Sequence, residues 1–269
     1  MPELPEAETL KRELEAAVLN QKIVEVFIRT PKVIRAPAAK DFAKAAAGAI
    51  IQTIIRRGKA LILRLSNHKD LVIQLGMTGQ LIYPGAAKSS RVAFKLSDGK
   101  WLDFNDYRMF GGLSLLDNYA DLDYIKSLGP EPFALKPEDF SRMLNAKKTK
   151  IKLLLMDQQF ISGVGNIYAN EALFRAGIHP QRPANRLNEE ERTKLFKEIK
   201  DTLNEAIRFK GSSVDNYVQL SGAAGEYVPH LKIYGREGQS CLRCAGKIKK
   251  IVLGGRGTYL CPKCQKYET

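Results

Sequence analysis

Residues 92–104 read VAFKLSDGKWLDF, and this stretch decides how the first half of the chain folds. The runs VAFKL (92–96) and WLDF (101–104) are strand-like, and SDGK (97–100) joins them. Asp98-Gly99 is a strong hairpin signal, because both residue types accept the positive φ of a tight turn between twisted strands. Toward the N-terminus the same texture recurs in DLVIQL (70–75), ALILRL (60–65), IIQTII (50–55) and KIVEVFI (22–28). So many short strands predict a sandwich or barrel-like β domain. Ahead of them, PEAETLKRELEAAVLN (5–20) is predicted as a helix laid against it. Leu10, Leu14 and Val18 recur at helical spacing, Pro5 suits the first turn, and Glu6 and Glu8 favour its positive end.

Beyond about residue 130 the period changes. Pro137 marks a helix start after a linker, KIKLLLMD (150–157) and NIYANEALFRAG (166–177) are helical, and 189–209 form a long amphipathic helix. Residues 211–229 are a Gly/Ser-rich loop too long for a simple connector, which points to function or disorder. The last 35 or so residues carry all four cysteines and little apolar bulk. The fold class is therefore expected to be α+β, with domains at 1–130, 131–229 and 230–269.

Lys and Arg total 43 against 29 acids, a net charge of +14. That excess suggests a polyanionic partner such as nucleic acid, since each neutralised phosphate releases counterions; a basic protein tuned for solubility is the alternative. No run of about 18 apolar residues exists, so no membrane span is expected. The N-terminus lacks the apolar stretch of a secretory signal, which predicts an intracellular protein.

Cys241-x2-Cys244 and Cys261-x2-Cys264, sixteen residues apart, match a four-thiolate zinc site, with disulfides or free thiols as the alternatives. Four sulfurs leave no open coordination position, so one structural zinc and no catalytic metal are expected. Between the pairs, GGRGTY (254–259) puts Arg256 among glycines at the tip of an expected hairpin, either gripping a phosphate or simply solvated. ISGVGNIY (161–168) sets Gly163 and Gly165 before a helix starting near Asn166, read here as a capping residue. It is an anion site or a plain helix-to-helix turn.

Met77 in QLGMTGQ, and Arg108 with Phe110 in NDYRMFGG, are core residues or the apolar wedge and arginine that enter a base stack when a nucleotide is flipped out. Lys59 in RRGKAL is a surface charge, a phosphate contact or an acid–base group. The opening MPELPE is either a helix start or a nucleophile: without Met1, Pro2 presents a secondary amine beside Glu3, one turn from Glu6. An α-amine has a pKa of roughly 7.7–8.0, so part of it is unprotonated near neutrality and able to attack a sugar C1′.

Together, PELPE, RRGK, LGMTG, RMFGG, GVGNIY, GSS and the terminal cysteine pairs, in this order along nearly the whole chain, resemble the formamidopyrimidine-DNA glycosylase family. The resemblance implies a bacterial base-excision-repair enzyme that excises 8-oxoguanine and formamidopyrimidines from duplex DNA and then cuts the abasic site by β,δ-elimination. It implies an N-terminal β-sandwich with a flanking helix, a helix–two-turn–helix domain and a zinc-finger β-hairpin, with DNA between the domains. By motif, Pro2 is the nucleophile, Glu3 the proton donor with Glu6 in support, Lys59 serves β-elimination and Arg256 δ-elimination. Asn166, Lys147 and Lys152 contact the DNA backbone. Met77, Arg108 and Phe110 fill the gap left by the everted nucleotide, and 215–229 cap the damaged base. The implied setting is a monomer in the cytoplasm, at the nucleoid, with no membrane partner.

The chain departs from the family pattern at several places. Gln74 stands where a His is frequent, Lys88-Ser89-Ser90-Arg91 replaces a KHDH-like run, Tyr107 and Met109 flank Arg108, and Leu153 replaces a frequent Pro. Gln74 and Arg91 can still donate hydrogen bonds to phosphate. An endonuclease VIII-like enzyme for oxidised pyrimidines, whose usual opening is PEGPE, and a non-catalytic damaged-DNA binder are the rival readings.

Overall fold

A computed structural model describes residues 2–88 and 90–267. Met1 and Ser89, on which the terminal-amine and 88–91 expectations touch, lie outside the described residues. The chain divides into two compact units, one running to Ser127 and taking in Ile207–Val228, the other comprising Leu128–Ala206 and the segment from Pro229 onward.

In the first unit, helix α1 (Leu4–Val18) precedes β1 (Ile23–Ile28), β2 (Ile34–Ala36), helix α2 (Ala39–Ala46), β3 (Ile51–Arg57), β4 (Ala60–Leu65), β5 (Asp70–Gln74), β6 (Gly79–Gly85), β7 (Val92–Leu96), β8 (Trp101–Asp106), β9 (Gly112–Leu116) and the single turn α3 (Asp123–Lys126). The strands form two sheets, ordered β1-β7-β8-β6 and β2-β9-β5-β4-β3. The expected hairpin is there: Phe94 pairs with Leu102, and Gly99 turns the chain at φ +82°. Inward-facing Val92, Phe94, Leu96, Leu102 and Phe104 join Leu61, Leu63, Leu71 and Ile73 of the second sheet in one core. Leu10, Leu14 and Val18 complete it, so α1 packs as its periodicity predicts, each leucine contributing about 1.5–3 kcal/mol by burial.

Strands β2, β6 and β9 and helix α2 were not predicted. Pro31 and Pro37 bracket β2, which pairs in parallel with β9 over only three residues. β6 contains Gly79, Pro84 and Gly85, all poor strand formers, but it is an edge strand, where proline removes no ladder bond, and its register shifts between Ile82 and Gly85.

The long loop after α7 (Glu189–Arg208) belongs to this unit and is well held. Tyr217 and Leu220 are part of its core. Its backbone closes on itself through Tyr227 N–H to Gly211 O (3.0 Å) and Glu226 N–H to Phe209 O (2.8 Å). It is tied to α1 where Glu13 accepts from Leu220 N–H at 2.8 Å.

The second unit contains α4 (Pro137–Asn145), α5 (Ile151–Met156), α6 (Asn166–Ala176), most of α7, and the hairpin β10 (Lys249–Leu253) and β11 (Arg256–Leu260). Phe140 of α4 stacks on Phe196 of α7, 4.9 Å between ring centres. α6 ends at Gly177 in the left-handed region, a common helix terminator. Its buried Glu171 accepts the backbone N–H groups of Lys232, Ile233 and Tyr234, each at 2.9 Å, fixing the approach to the hairpin. Burial raises the Glu171 carboxyl pKa, against the opposing effect of these three donors. Among the described residues, no helix is long and apolar enough to cross a membrane.

Candidate active site and nucleic-acid interface

The start of α1 is built by its own sequence. Glu3 takes the N-cap position and Pro5 the first turn, and Glu3 and Glu6 close a capping box in which Glu6 Oε2 accepts Glu3 N–H at 2.8 Å. The other Glu6 oxygen accepts Ser212 N–H at 2.7 Å, so one buried carboxylate holds both Glu3 and the start of the long loop.

Pro2, buried, lines a cavity of about 200 Å3 together with Lys59, Gln74, Arg35 and Phe110. Each wall has a local cause. Lys59 sits in the two-residue turn between β3 and β4, where Gly58 takes φ +57°. Arg56 braces that turn, donating to Gly58 O and to Glu8 of α1, both at 2.9 Å. Gln74 ends β5, paired with Ala60 on one side and Gly112 on the other.

Met77, Arg108 and Phe110 come together in the same unit. Arg108 lies over the Phe110 ring at 4.6 Å and reaches Met77 Sδ at 3.6 Å. Phe110 is 59% exposed, so it is not a core residue. Met109 explains why: with φ +57°, rare for a non-glycine residue, it turns its own side chain onto the core and leaves both neighbours outside. Asp106 secures the loop, accepting Gly111 N–H at 2.7 Å, Arg108 N–H at 3.2 Å and the Thr78 hydroxyl. Arg91 donates to Asp106 O at 3.2 Å, and Tyr107 is exposed.

Gly76 admits this loop. It has φ +60°, and a Cβ there would stand 2.6 Å from Gly111 N and 2.8 Å from Phe110 C. Gly76→Ala is therefore expected to cost on the order of 3 kcal/mol, from left-handed strain plus overpacking against backbone. Urea denaturation checks this; wild-type stability would show that the loop does not rest on residue 76.

In the second unit, Gly163 (φ +86°) and Gly165 form the turn before α6. Gln158 orders it, accepting Gly163 N–H at 2.9 Å and donating to Val164 O at 2.7 Å. The cap is Gly165, not Asn166 as its side chain suggested: Asn166 is the first helical residue, and its Nδ2 lies 3.5 Å from Tyr234 Oη. Gly165 has no side chain, so the N-cap residue itself makes no side-chain hydrogen bond to the first turn. Lys147 is exposed. Lys152 is 0% exposed, and its ammonium donates to Gly257 O at 3.1 Å and Thr258 Oγ1 at 2.6 Å, so it holds the hairpin rather than facing solvent.

Arg256 is exposed and begins β11 directly after Gly254-Gly255, both at positive φ. The sulfurs of Cys241, Cys244, Cys261 and Cys264 lie within 4.8 Å of one another, with Cys241–Cys264 at 3.8 Å and Cys244–Cys261 at 3.5 Å. Zn–S bonds of about 2.3 Å in a tetrahedron set sulfurs about 3.8 Å apart, so the four residues fit a structural zinc.

Sequence reasoning missed Arg35 and Gln158, which lie outside the quoted motifs, and passed over Asp106 and Thr78 inside NDYRMFGG and QLGMTGQ; all four become visible only through the hydrogen bonds they make.

Three family models match the chain: the formamidopyrimidine-DNA glycosylase N-terminal domain over residues 1–113, the helix–two-turn–helix domain of the same enzymes over 128–218, and a zinc finger found in these enzymes and in isoleucyl-tRNA synthetase over 238–266. The formamidopyrimidine-DNA glycosylase of Pelotomaculum thermopropionicum is 43% identical, with both chains fully covered. That of Herpetosiphon aurantiacus is 42% identical over 98% of this chain and all of its own. Among solved structures, the MutM (Fpg) protein of Thermus thermophilus superposes with a TM-score of 0.90 at 38% identity, both chains fully covered. A Lactococcus lactis Fpg complex with abasic-site DNA superposes with a TM-score of 0.91 at 34% identity, over 98% of this chain and all of that one. The chain belongs to the formamidopyrimidine-DNA glycosylase family.

Proposed function

We propose that this protein excises oxidised purines from duplex DNA and cuts the abasic strand, with Pro2 as nucleophile. The protein is a base-excision-repair DNA glycosylase by family, and relatives have been solved with abasic-site, Fapy-dG and carbocyclic 8-oxo-G DNA. The observation that carries the catalytic reading is the shared cavity of Pro2, Lys59 and Gln74, with Phe110 at its wall and the Glu3–Glu6 box behind Pro2.

Once Met1 is removed, the Pro2 nitrogen attacks C1′, the base departs with the glycosidic electron pair, and the proton shed by the Pro2 nitrogen neutralises the departing base. Glu3 delivers a proton to the sugar ring oxygen, the C1′–O4′ bond breaks, and a cationic iminium forms. Loss of a C2′ proton expels the 3′ phosphate, and loss of a C4′ proton expels the 5′ phosphate, with Lys59 and Arg256 gripping the leaving phosphates. Asn166, Lys147 and Arg91 hold the backbone, and the protein works as a monomer. Zinc, when bound, shapes the hairpin bearing Arg256 and takes no part in the chemistry.

Borohydride added to the Met1-processed protein with 8-oxoguanine duplex is expected to yield a covalent protein–DNA adduct. Tight binding without an adduct would favour the non-catalytic binder, and preferential trapping of thymine-glycol duplex the pyrimidine branch.

A further inference from the structure

Loop 107–111 is gripped from two sides, and one grip is unexplained by any motif. From inside, buried Asp106 takes the amides of Arg108 and Gly111. From outside, the exposed Arg35 takes the carbonyls on either side of Phe110: Nη2 donates to Met109 O at 3.1 Å and to Gly111 O at 2.7 Å, while Nη1 donates to Lys32 O at 3.2 Å. Its stem crosses the start of β9 only because Gly112 has no Cβ, which would stand 2.5 Å from Arg35 Nε. Arg35 itself is set by β2, whose Ile34 and Ala36 pair with Leu113 and Ser114 of β9. Among the described residues it makes no ion pair, so its rigid fork is spent on carbonyls.

We propose that Arg35 is the positioning residue for the Phe110 wedge, fixing the carbonyls of its two neighbours, Met109 and Gly111. The proposal rests on the wedge reading of Phe110 given above. A guanidinium can serve three carbonyls in fixed directions, whereas a lysine ammonium on a flexible stem cannot reproduce that fork. Because Arg35 is exposed, its replacement spares the core, unlike replacement of Asp106.

The test measures single-turnover base release from 8-oxoguanine duplex, strand cleavage of a preformed abasic duplex, and Tm, for Arg35→Ala, Arg35→Lys, Phe110→Ala and the Arg35→Ala/Phe110→Ala double variant. Both Arg35 variants are expected to slow base release about tenfold and abasic cleavage by a smaller factor, with Tm unchanged, and the double variant should match Phe110→Ala alone, the signature of coupled residues. Full rescue by Arg35→Lys, additive losses in the double variant, or equal loss on both substrates would overturn the proposal in favour of a plain phosphate contact. A fall in Tm with loss on both substrates would overturn it in favour of a scaffold role. Wild-type base release by Phe110→Ala would instead remove the wedge reading itself.

Discussion

Glu3→Gln in the Met1-processed protein is expected to lose base release by about a thousandfold, within the usual range for removing a positioned general acid, while binding lesion duplex almost as tightly as wild type. The substitution is isosteric and the site is prepared for it. Glu3 is buried at the helix start, and its backbone N–H stays bound to Glu6 Oε2 at 2.8 Å whatever its own side chain becomes. A glutamine oxygen can still accept from the first turn, so the capping geometry survives and only the transferable proton is lost. Neither the wedge loop nor the α6 turn includes this residue, so affinity should change by no more than a few-fold. Single-turnover base release and a binding titration on the same duplex separate the two quantities. Parallel loss of affinity and rate would make Glu3 a structural cap.

Removing zinc is expected to weaken lesion-duplex binding about a hundredfold or more and to abolish the hairpin signal, because structural zinc contributes roughly 10–16 kcal/mol to small modules of this kind. The apolar cluster around the finger is small: Phe174, Ile233, Cys241, Ile248 and Cys261, flanked by Tyr259 and Cys264. Three of these seven are candidate zinc ligands, so nearly half of this small core depends on metal holding the sulfurs together. A two-stranded hairpin has little stability of its own, and Val252 on β10 is already exposed. The damage should spread. Asn170 of α6 accepts Tyr259 N–H at 2.8 Å, and buried Lys152 donates to Gly257 O and Thr258 Oγ1 of the hairpin. Losing a hydrogen bond to a charged group costs about 1.5–3 kcal/mol. Chelation with metal loss verified by atomic absorption, followed by circular dichroism and a binding titration, checks this. Unchanged affinity after verified loss would show that the hairpin tip takes no part in binding.

Much of the fold could be read along the chain because it rests on local signals. Asp98-Gly99 makes a hairpin anywhere, Leu10, Leu14 and Val18 make one face of a helix, and two CxxC knuckles need only to meet. In the cavity, Lys59 could be picked out from the Gly58-Lys59 turn that carries it, whereas Arg256 was legible only as an exposed residue after a glycine pair. The unread strands are those whose composition argues against them: β2 between prolines and β6 with Gly79 and Pro84 exist because neighbouring strands offer partners, an interaction no local window contains.

By itself, then, the sequence determined the kinds of element, the metal ligand set and the family. Only the tertiary structure decided which side chains are available. Lys152 and Lys147 lie in one basic run, KKTKIK, yet one ammonium is sealed against the hairpin and the other is exposed. Phe110 and Met109 are adjacent apolar residues, yet a positive φ at Met109 sends one outward and the other onto the core. The physical reason is the same in both pairs. Periodicity and spacing report how the backbone repeats, whereas burial and hydrogen-bond partners depend on segments far away in the chain, and those meet only when the core closes.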